Sequence, residues 1–137
     1  MRLLLLGCTG FVGRELVPAL LEADHQLTLV SRRLARGYEA ERADGRLTWL
    51  QLDPAKSVSW QTPELVEALS TSDAVVNLAG EPIAEKRWTA PHRKVLEDSR
   101  LETTRFLVDA LAASKSPVPS AFLIANIVAE CSRTTAL

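Results

Sequence analysis

The feature that most constrains the fold is a glycine-rich turn between a strand pattern and a helix pattern near the N-terminus. The stretch Arg2–Leu6 ends in an unbroken run of leucines, as in strands that are buried on both faces. Apolar residues then recur at helical spacing over Phe11–Ala23. Between the two lie Gly7, Gly10 and, one turn into the helix, Gly13. A strand, a glycine turn and a helix in this order predict the start of a βαβ unit.

The same turn has the form of a dinucleotide-binding motif. In such motifs the first glycine permits a tight turn, the second lets a pyrophosphate approach the backbone, and the third allows close packing of helix on strand. Free N–H groups and the positive end of the helix dipole then face the anion. The residues expected at the cofactor are Gly7, Thr9, Gly10, Phe11, Val12 and Gly13. The open alternative is a glycine-rich turn that holds no ligand.

Strand and helix patterns alternate along the rest of the chain. Further strands are predicted at Gln26–Val30, Leu47–Leu52, Ala74–Leu78 and Ala121–Val128, and further helices at Pro63–Leu69 and from about Ala90 to Ala113. Strands separated by helices require right-handed crossovers, which build a parallel sheet. We therefore expect one domain over residues 1–137, of the α/β class, with a doubly wound parallel sheet of the Rossmann type.

Three details refine this prediction. Pro18 lies inside the first helix pattern, where it should bend or weaken the helix. Thr62 stands directly before Pro63, so we expect its side chain to cap the following helix. The polar segment from Arg32 to Arg46 shows no apolar period, and we predict no element there.

The end of the second strand indicates which dinucleotide is bound. An NAD enzyme usually has an Asp or Glu there, which holds the ribose 2′-hydroxyl. This chain has Ser31, Arg32 and Arg33 instead, with no carboxylate. Guanidinium groups suit a phosphate, and the hydroxyl of Ser31 offers one more hydrogen bond. We therefore predict NADP(H) as the cofactor, with NAD(H) as the second choice. The alternative is that both arginines lie in a solvated loop.

Two further strand ends complete the expected cofactor site. Asp53 follows the third strand, where its carboxylate can accept from the adenine amino group; a turn-forming Asp before Pro54 is the alternative. The fourth strand ends in Asn77, Leu78, Ala79 and Gly80, at the carboxyl edge where open α/β sheets bind ligands. Gly80 lets the cofactor pass close to the backbone, and Asn77 is expected to brace the loop.

Composition excludes several other functions. The chain has 16 basic and 17 acidic residues, so no global field attracts nucleic acid or an anionic membrane. Its apolar runs are too short for a signal peptide or a membrane span. The two cysteines, Cys8 and Cys131, form no disulfide framework, which favours the cytoplasm. His25 and His92 have no second ligand at metal spacing, and we predict no metal site.

Several motifs together resemble the NAD-dependent epimerase/dehydratase family, in the extended short-chain dehydrogenase/reductase superfamily, and more narrowly its epimerase-like branch. They are Thr9-Gly10-Phe11-Val12-Gly13, the strand end Asn77–Gly80, Gly80-Glu81-Pro82-Ile83-Ala84, Lys86-Arg87-Trp88-Thr89, Asp98-Ser99-Arg100 and Glu102-Thr103-Thr104-Arg105. The resemblance extends to about residue 125. It implies a Rossmann domain with bound NADP(H) or NAD(H), and epimerase or reductase chemistry on an unassigned small-molecule substrate.

The family's catalytic pattern is not found in this chain. The resemblance implies a Ser or Thr after the fifth strand and a Tyr-x-x-x-Lys on the next helix, in which the lysine lowers the tyrosine pKa. The one tyrosine, Tyr38, is followed four residues later by Arg42, and Asn126 stands at the position of the serine. Residues 126–137 form a divergent tail, so we assign no catalytic residue and expect a truncated or frame-altered product. A sheet that is incomplete on its C-terminal side should pair with another copy, so we expect a homo-oligomer.

Overall fold

The structure, a computed structural model, describes residues 1–34, 36–81, 87, 89–114, 119 and 121–124. Strands and helices alternate as predicted. The strands are β1 (Arg2–Leu6), β2 (Gln26–Ser31), β3 (Leu47–Gln51), β4 (Ala74–Asn77) and β5 (Ala121–Ile124). The helices are α1 (Phe11–Glu22), α2 (Glu39–Ala43), α3 (Pro63–Thr71) and α4 (Ala90–Ala113), with a 3₁₀-helix at Ser57–Gln61.

All five strands are parallel and lie in the order β3-β2-β1-β4-β5. In register, Leu3 of β1 pairs with Leu27 of β2 on one side and with Ala74 of β4 on the other. The chain first builds the sheet outward from β1 to β3, then crosses back to place β4 on the opposite side of β1. This reversal creates a crevice at the carboxyl end of β1, the place where doubly wound sheets bind ligands.

The leucines of β1 alternate between the two faces of the sheet. Leu3 and Leu5 pack in one buried cluster with Val17 and Leu21 of α1. Leu4 and Leu6 pack in a second cluster, which holds side chains of α3 and α4, among them Leu65 and Leu107. Because successive strand residues point to opposite faces, a run of leucines serves a strand that has helices on both sides. The predicted doubly wound α/β fold is therefore confirmed.

The apolar spacing located α1 and α4 but did not distinguish their buried residues. In α1 the buried residues are Gly13, Val17 and Leu21, while Leu16 and Leu20 are partly buried against the core. In α4 Leu107 is buried with Leu96 and Thr103, and Phe106 and Leu111 are partly buried against the core, whereas Leu101 is 66% exposed. Successive helix residues are about 100° apart, so the position of the sheet decides which of them are buried.

Two local predictions differ from the structure, and a third stays in part a prediction. Pro18 lies inside α1 as predicted, and the helix continues through it to Glu22 with one backbone donor absent. The expected bend or weakening at Pro18 stays a prediction. Thr62 precedes α3, but its hydroxyl donates to the Ser59 carbonyl at 2.8 Å and makes no side-chain cap. Helix α2 lies in the segment for which no element was predicted; none of its five residues is buried, so no apolar period marks it.

The C-terminal prediction is tested only in part. Of the strand expected at Ala121–Val128, residues Ala121–Ile124 form β5, and the remainder lies outside the described residues. The divergent tail 126–137 also lies outside them, so the predicted incompleteness of the sheet stays a prediction. Within the part of the chain that the structure describes, no helix has the length and apolarity needed to cross a membrane.

Candidate functional site

The carboxyl ends of three neighbouring strands meet in one crevice. Gly7 follows β1, Ser31 ends β2 and Asn77 ends β4, and β1 lies between the other two strands. The Gly7 N–H donates to the Val30 carbonyl at 3.0 Å, and Leu78 N–H donates to the carbonyl of Leu6, the last residue of β1, at 2.8 Å. The residues that the sequence analysis assigned to a cofactor on separate strands are thus brought to one edge of the sheet.

Two of the three motif glycines are required by the protein itself. Gly7 has φ of 73°, and a Cβ there would lie 2.5 Å from the Ala79 Cα. A Cβ on Gly13 would collide with the backbone of Cys8. The first glycine therefore lets the turn pass under the loop after β4, and the third lets α1 pack against the turn.

Gly10 differs from the other two glycines. It is exposed, it is the N-cap residue of α1, and the nearest atom to a Cβ built there is the Gly7 carbonyl oxygen at 3.9 Å. Nothing among the described residues requires a glycine at this position. The residues after it are also open to solvent, with Phe11 at 88% exposure and Val12 at 47%, while Thr9 is half-buried. Gly10 therefore leaves room for another group to come close to the backbone at the N-terminus of α1.

At the end of β2 the two arginines are exposed, whereas the serine hydroxyl is already hydrogen-bonded within the protein. Ser31 is buried, its hydroxyl donates to the Arg33 carbonyl at 2.6 Å, and it accepts from the Trp49 indole N–H at 2.8 Å. Because a hydroxyl has one proton, Ser31 can donate to a phosphate only if the bond to Arg33 is given up. Its observed effect is to shape the turn that carries Arg32 and Arg33, both of which are exposed.

A carboxylate that the sequence analysis did not assign to the cofactor site lies against Arg32. The Arg32 Nη2 is 3.7 Å from the Glu81 Oε2, and the Glu81 side chain is only 19% exposed. Glu81 comes from the loop after β4, whereas Arg32 follows β2. The signal available in the sequence was a single charged residue next to Gly80, which does not identify its partner.

The end of β4 is braced as predicted. Asn77 is buried, its Oδ1 accepts from the Ala79 N–H at 3.0 Å, and its Nδ2 donates to the Thr104 hydroxyl at 3.4 Å. The Asn77 amide therefore ties the strand end both to its own loop and to α4. Leu78 is half-buried and Ala79 is buried, and the backbone of both residues lies against Gly7 of the glycine turn.

The loop after Asn77 is also held by α4. A Cβ on Gly80 would lie 3.0 Å from the Arg100 Cζ. The Arg100 guanidinium donates to the Leu96 carbonyl at 2.9 Å and to the Glu81 carbonyl at 3.2 Å. In the sequence Arg100 is distinguished only as part of the Asp98-Ser99-Arg100 motif, and its contact with the loop appears only in the structure.

Asp53 has the geometry of a turn-forming residue, which was the alternative interpretation of this position. Its Oδ1 accepts from the Ala55 N–H at 3.0 Å, and its carbonyl accepts from the Lys56 N–H at 3.1 Å, as in a turn-forming Asp. A carboxylate has further lone pairs, so this turn leaves acceptor capacity for an adenine amino group. The turn role is thus observed, and the adenine role stays a prediction.

Burial raises the pKa values of both Cys8 and Tyr38. Cys8 is buried, and burial raises the pKa of its thiol to about 11, so the thiol is protonated at neutral pH. The pKa of Tyr38 is raised by burial and, to a smaller extent, by Cys8 and Glu41. The Tyr38 ring lies 6.2 Å from that of Trp49 and packs against the cluster on the α1 side of the sheet. Neither group has the lowered pKa of an activated nucleophile or base.

Several expected residues cannot be placed. Pro82-Ile83-Ala84, Lys86, Trp88, Asn126 and Cys131 lie outside the described residues. The described residues contain no group of three or more His, Cys, Asp or Glu that could hold a metal ion. His25 lies 3.4 Å from the N-terminal amine through its Nδ1, and His92 donates its backbone N–H to the N-cap Thr89 hydroxyl at 3.3 Å.

Comparison with known proteins connects this site to a family. The model of the NAD dependent epimerase/dehydratase family matches residues 3–126. The human epimerase family protein SDR39U1 is 36% identical over 131 residues, which is 94% of this chain and 38% of that protein. The epimerase family protein Mb2239 of Mycobacterium bovis is 34% identical over 110 residues, which is 77% of this chain and 31% of that protein. The chain therefore spans less than two fifths of the length of these relatives.

Solved structures show the same fold. The crystal structure of human SDR39U1 (isoform 2) with NADPH matches with a TM-score of 0.64 and 34% identity, over 90% of this chain and 36% of that one. Uronate dehydrogenase from Agrobacterium tumefaciens matches with a TM-score of 0.64 and 19% identity, over 91% of this chain and 40% of that one. The first match relates both sequence and fold; the second relates the fold alone.

Proposed function

Because this chain belongs to the NAD dependent epimerase/dehydratase family, we propose that it binds NADP(H) in the crevice at the carboxyl end of β1. The observation that carries the proposal is the contrast among the motif glycines. Packing within the protein explains Gly7 and Gly13, but the described residues leave open space at Gly10. A ligand that approaches the N-terminus of α1 gives a reason for a glycine there.

Preference for NADP(H) over NAD(H) rests on the end of β2. Arg32 and Arg33 are exposed at the position where a carboxylate would select NAD(H). Planar guanidinium groups bind a 2′-phosphate through charge-assisted hydrogen bonds. The human relative, whose crystal structure contains NADPH, supports this choice. NAD(H) remains the second cofactor, with lower affinity.

The cofactor is proposed to lie across the carboxyl ends of β1, β2, β3 and β4. Its pyrophosphate faces Gly10 and the backbone N–H groups of the first turn of α1, and its 2′-phosphate faces Arg32 and Arg33. The adenine lies toward Asp53. The nicotinamide lies toward the loop at Ala79 and Gly80, which Asn77 and Arg100 hold in place. Ser31 contributes by shaping the arginine turn through its bond to the Arg33 carbonyl.

We propose epimerase or reductase chemistry on a small-molecule substrate for the complete family protein, and cofactor binding without turnover for these 137 residues alone. A bound nicotinamide supplies hydride transfer, but no described residue is placed as its proton donor. A second candidate function is a non-catalytic dinucleotide-binding or partner-binding module, which the unassigned catalytic positions favour. The cytoplasmic location stays a prediction from the cysteine content.

Calorimetric titration of the purified chain with NADPH and NADH tests the cofactor proposal. Charge-assisted bonds to a phosphate contribute about 1.5–3 kcal/mol each, so NADPH should bind about tenfold more tightly or better. Arg32→Asp should remove the preference. Arg42→Asp is the matched control, because α2 leads into the opposite, amino-terminal end of β3. Equal affinities of the unmodified chain for the two cofactors would contradict the proposed preference.

A turnover assay tests whether these 137 residues carry catalytic groups of their own. The chain is incubated with NADPH and a panel of sugars and carbonyl compounds, and absorbance at the nicotinamide band is followed. We expect background rates. Substrate-dependent NADPH oxidation that Gly10→Glu abolishes, by blocking the pyrophosphate approach, would show that this chain carries its own catalytic groups.

A further inference from the structure

The ion pair between Arg32 and Glu81 spans the crevice. The strands β2 and β4 both neighbour β1, so their ends are separated by two strand spacings, about 9–10 Å. Arg32 follows β2 directly and Glu81 lies in the loop after β4, yet the Arg32 Nη2 and the Glu81 Oε2 are 3.7 Å apart. The two side chains therefore meet over the carboxyl end of β1, where the glycine turn begins at Gly7.

Glu81 is the fixed member of this pair. Its backbone N–H donates to the Ser99 hydroxyl at 3.0 Å, and its carbonyl accepts from Arg100 at 3.2 Å. Both partners lie on α4, and Ser99 is itself anchored to the Leu96 carbonyl at 2.9 Å. The side chain of Glu81 is 19% exposed, whereas that of Arg32 is 63% exposed. Arg32 is therefore the member that can change partner without disturbing the packing of α4.

We propose that Glu81 is a specificity-determining residue for the cofactor: it holds Arg32 in the unliganded chain, and the 2′-phosphate of NADP(H) replaces its carboxylate as the partner of Arg32. This inference rests on the proposed function. A phosphate at Arg32 competes with the Glu81 carboxylate and is repelled by it. A dinucleotide that lacks the 2′-phosphate brings no anion to this position, so its affinity depends less on Glu81. Glu81 thus lowers the preference for NADP(H) that the arginines alone would give.

The test is a calorimetric titration of the full chain and of Glu81→Gln with NADPH and with NADH. Removing the competing charge should tighten NADPH binding about 3- to 10-fold, while NADH binding changes less than about twofold. Glu22→Gln, an exposed carboxylate at the end of α1 at the opposite edge of the sheet, is the matched control and should change neither affinity. In an Arg32→Gln background the effect of Glu81→Gln on NADPH should fall below about twofold, since most of it acts through Arg32.

The outcomes separate this inference from the proposed function. Unchanged or weaker NADPH binding by Glu81→Gln, with normal binding by the unmodified chain, overturns the role of Glu81 and leaves NADP(H) binding intact. Failure of the unmodified chain to bind either dinucleotide overturns both. If Glu81→Gln does not fold, Glu81→Asp gives the answer: its shorter carboxylate lies farther from Arg32 and should tighten NADPH binding by a smaller factor.

Discussion

Gly7 and Ala79, which follow different strands, are in backbone contact: a Cβ on Gly7 would lie 2.5 Å from the Ala79 Cα and 2.6 Å from its nitrogen. The contact joins the glycine turn after β1 to the loop after β4, so two halves of the candidate cofactor site are packed against each other. Gly7 also has φ of 73°, a left-handed backbone conformation that residues other than glycine adopt only at a cost in free energy.

Gly7→Ala should therefore destabilise the fold severely. Backbone strain and the collision with Ala79 together should cost about 3 kcal/mol or more, a large part of the stability of an ordinary domain. Urea unfolding followed by tryptophan fluorescence measures the loss. Gly37→Ala is a control, because it has positive φ but nothing within 4 Å of a Cβ. Equal losses in the two variants would mean that the contact with Ala79 contributes nothing.

Gly10→Ala, in contrast, should leave stability nearly unchanged and weaken NADPH binding. The nearest atom to the added methyl group is 3.9 Å away, so the free energy of unfolding should stay within about 0.5 kcal/mol of the unmodified chain. Affinity for NADPH should fall at least about tenfold, because the methyl group occupies space that the pyrophosphate requires. Paired unfolding and titration experiments measure both quantities. Unchanged NADPH affinity would contradict the proposed position of the pyrophosphate at Gly10.

Asn77→Ala should weaken the loop after β4. The substitution leaves the Ala79 N–H, which donates to Asn77 Oδ1 at 3.0 Å, buried without its partner, at a cost of about 1–3 kcal/mol. Thr104→Val is the matched control, because it removes only the longer 3.4 Å bond from Asn77 Nδ2. Denaturant unfolding should rank Asn77→Ala as the more destabilised. The reverse order would show that the bond to α4 is the main brace.

The free energy of unfolding should fall in alkaline solution because of the buried thiol of Cys8. Burial raises the pKa of the folded thiol from 9.0 to about 11, so the folded state retains a proton that the unfolded state releases. The protonated Cys8 thiol therefore contributes about 2–3 kcal/mol to the free energy of unfolding. This contribution is fully present below pH 9 and is lost as pH rises toward 11. Unfolding of the unmodified chain and of Cys8→Ala between pH 8 and 10.5 measures it. Parallel pH dependences of the two chains would contradict the assignment.

The chain is expected to self-associate. In the part of the chain that the structure describes, β5 is a terminal strand paired with β4 alone, and its Leu123 is 59% exposed. An edge strand that exposes an apolar side chain favours pairing with another copy. Light scattering over a tenfold concentration range should give a mass above that of the 15.0 kDa monomer, rising with concentration. A constant monomer mass would refute this prediction.

Local sequence patterns were enough to predict the fold class and the positions of the strand ends. The leucine run of β1, the glycine turn and the alternation of strands and helices predict a doubly wound parallel sheet, because side-chain period and turn chemistry act over a few residues. The same patterns bring the strand ends to one edge, since parallel strands all end there. The residue types at those ends, above all Arg32 and Arg33 without a carboxylate, led to the prediction that NADP(H) is preferred.

Tertiary structure decided which of these groups are available. Ser31 was predicted to donate to a phosphate, but its hydroxyl donates to the carbonyl of Arg33, two residues further on, and accepts from Trp49, which lies on the neighbouring strand β3. The contact of Arg32 with Glu81 depends on the order of the strands, which places β2 and β4 on either side of β1. A charge partner that is 49 residues away along the chain, as Glu81 is from Arg32, leaves no local pattern, because only packing of the whole sheet brings the two side chains together.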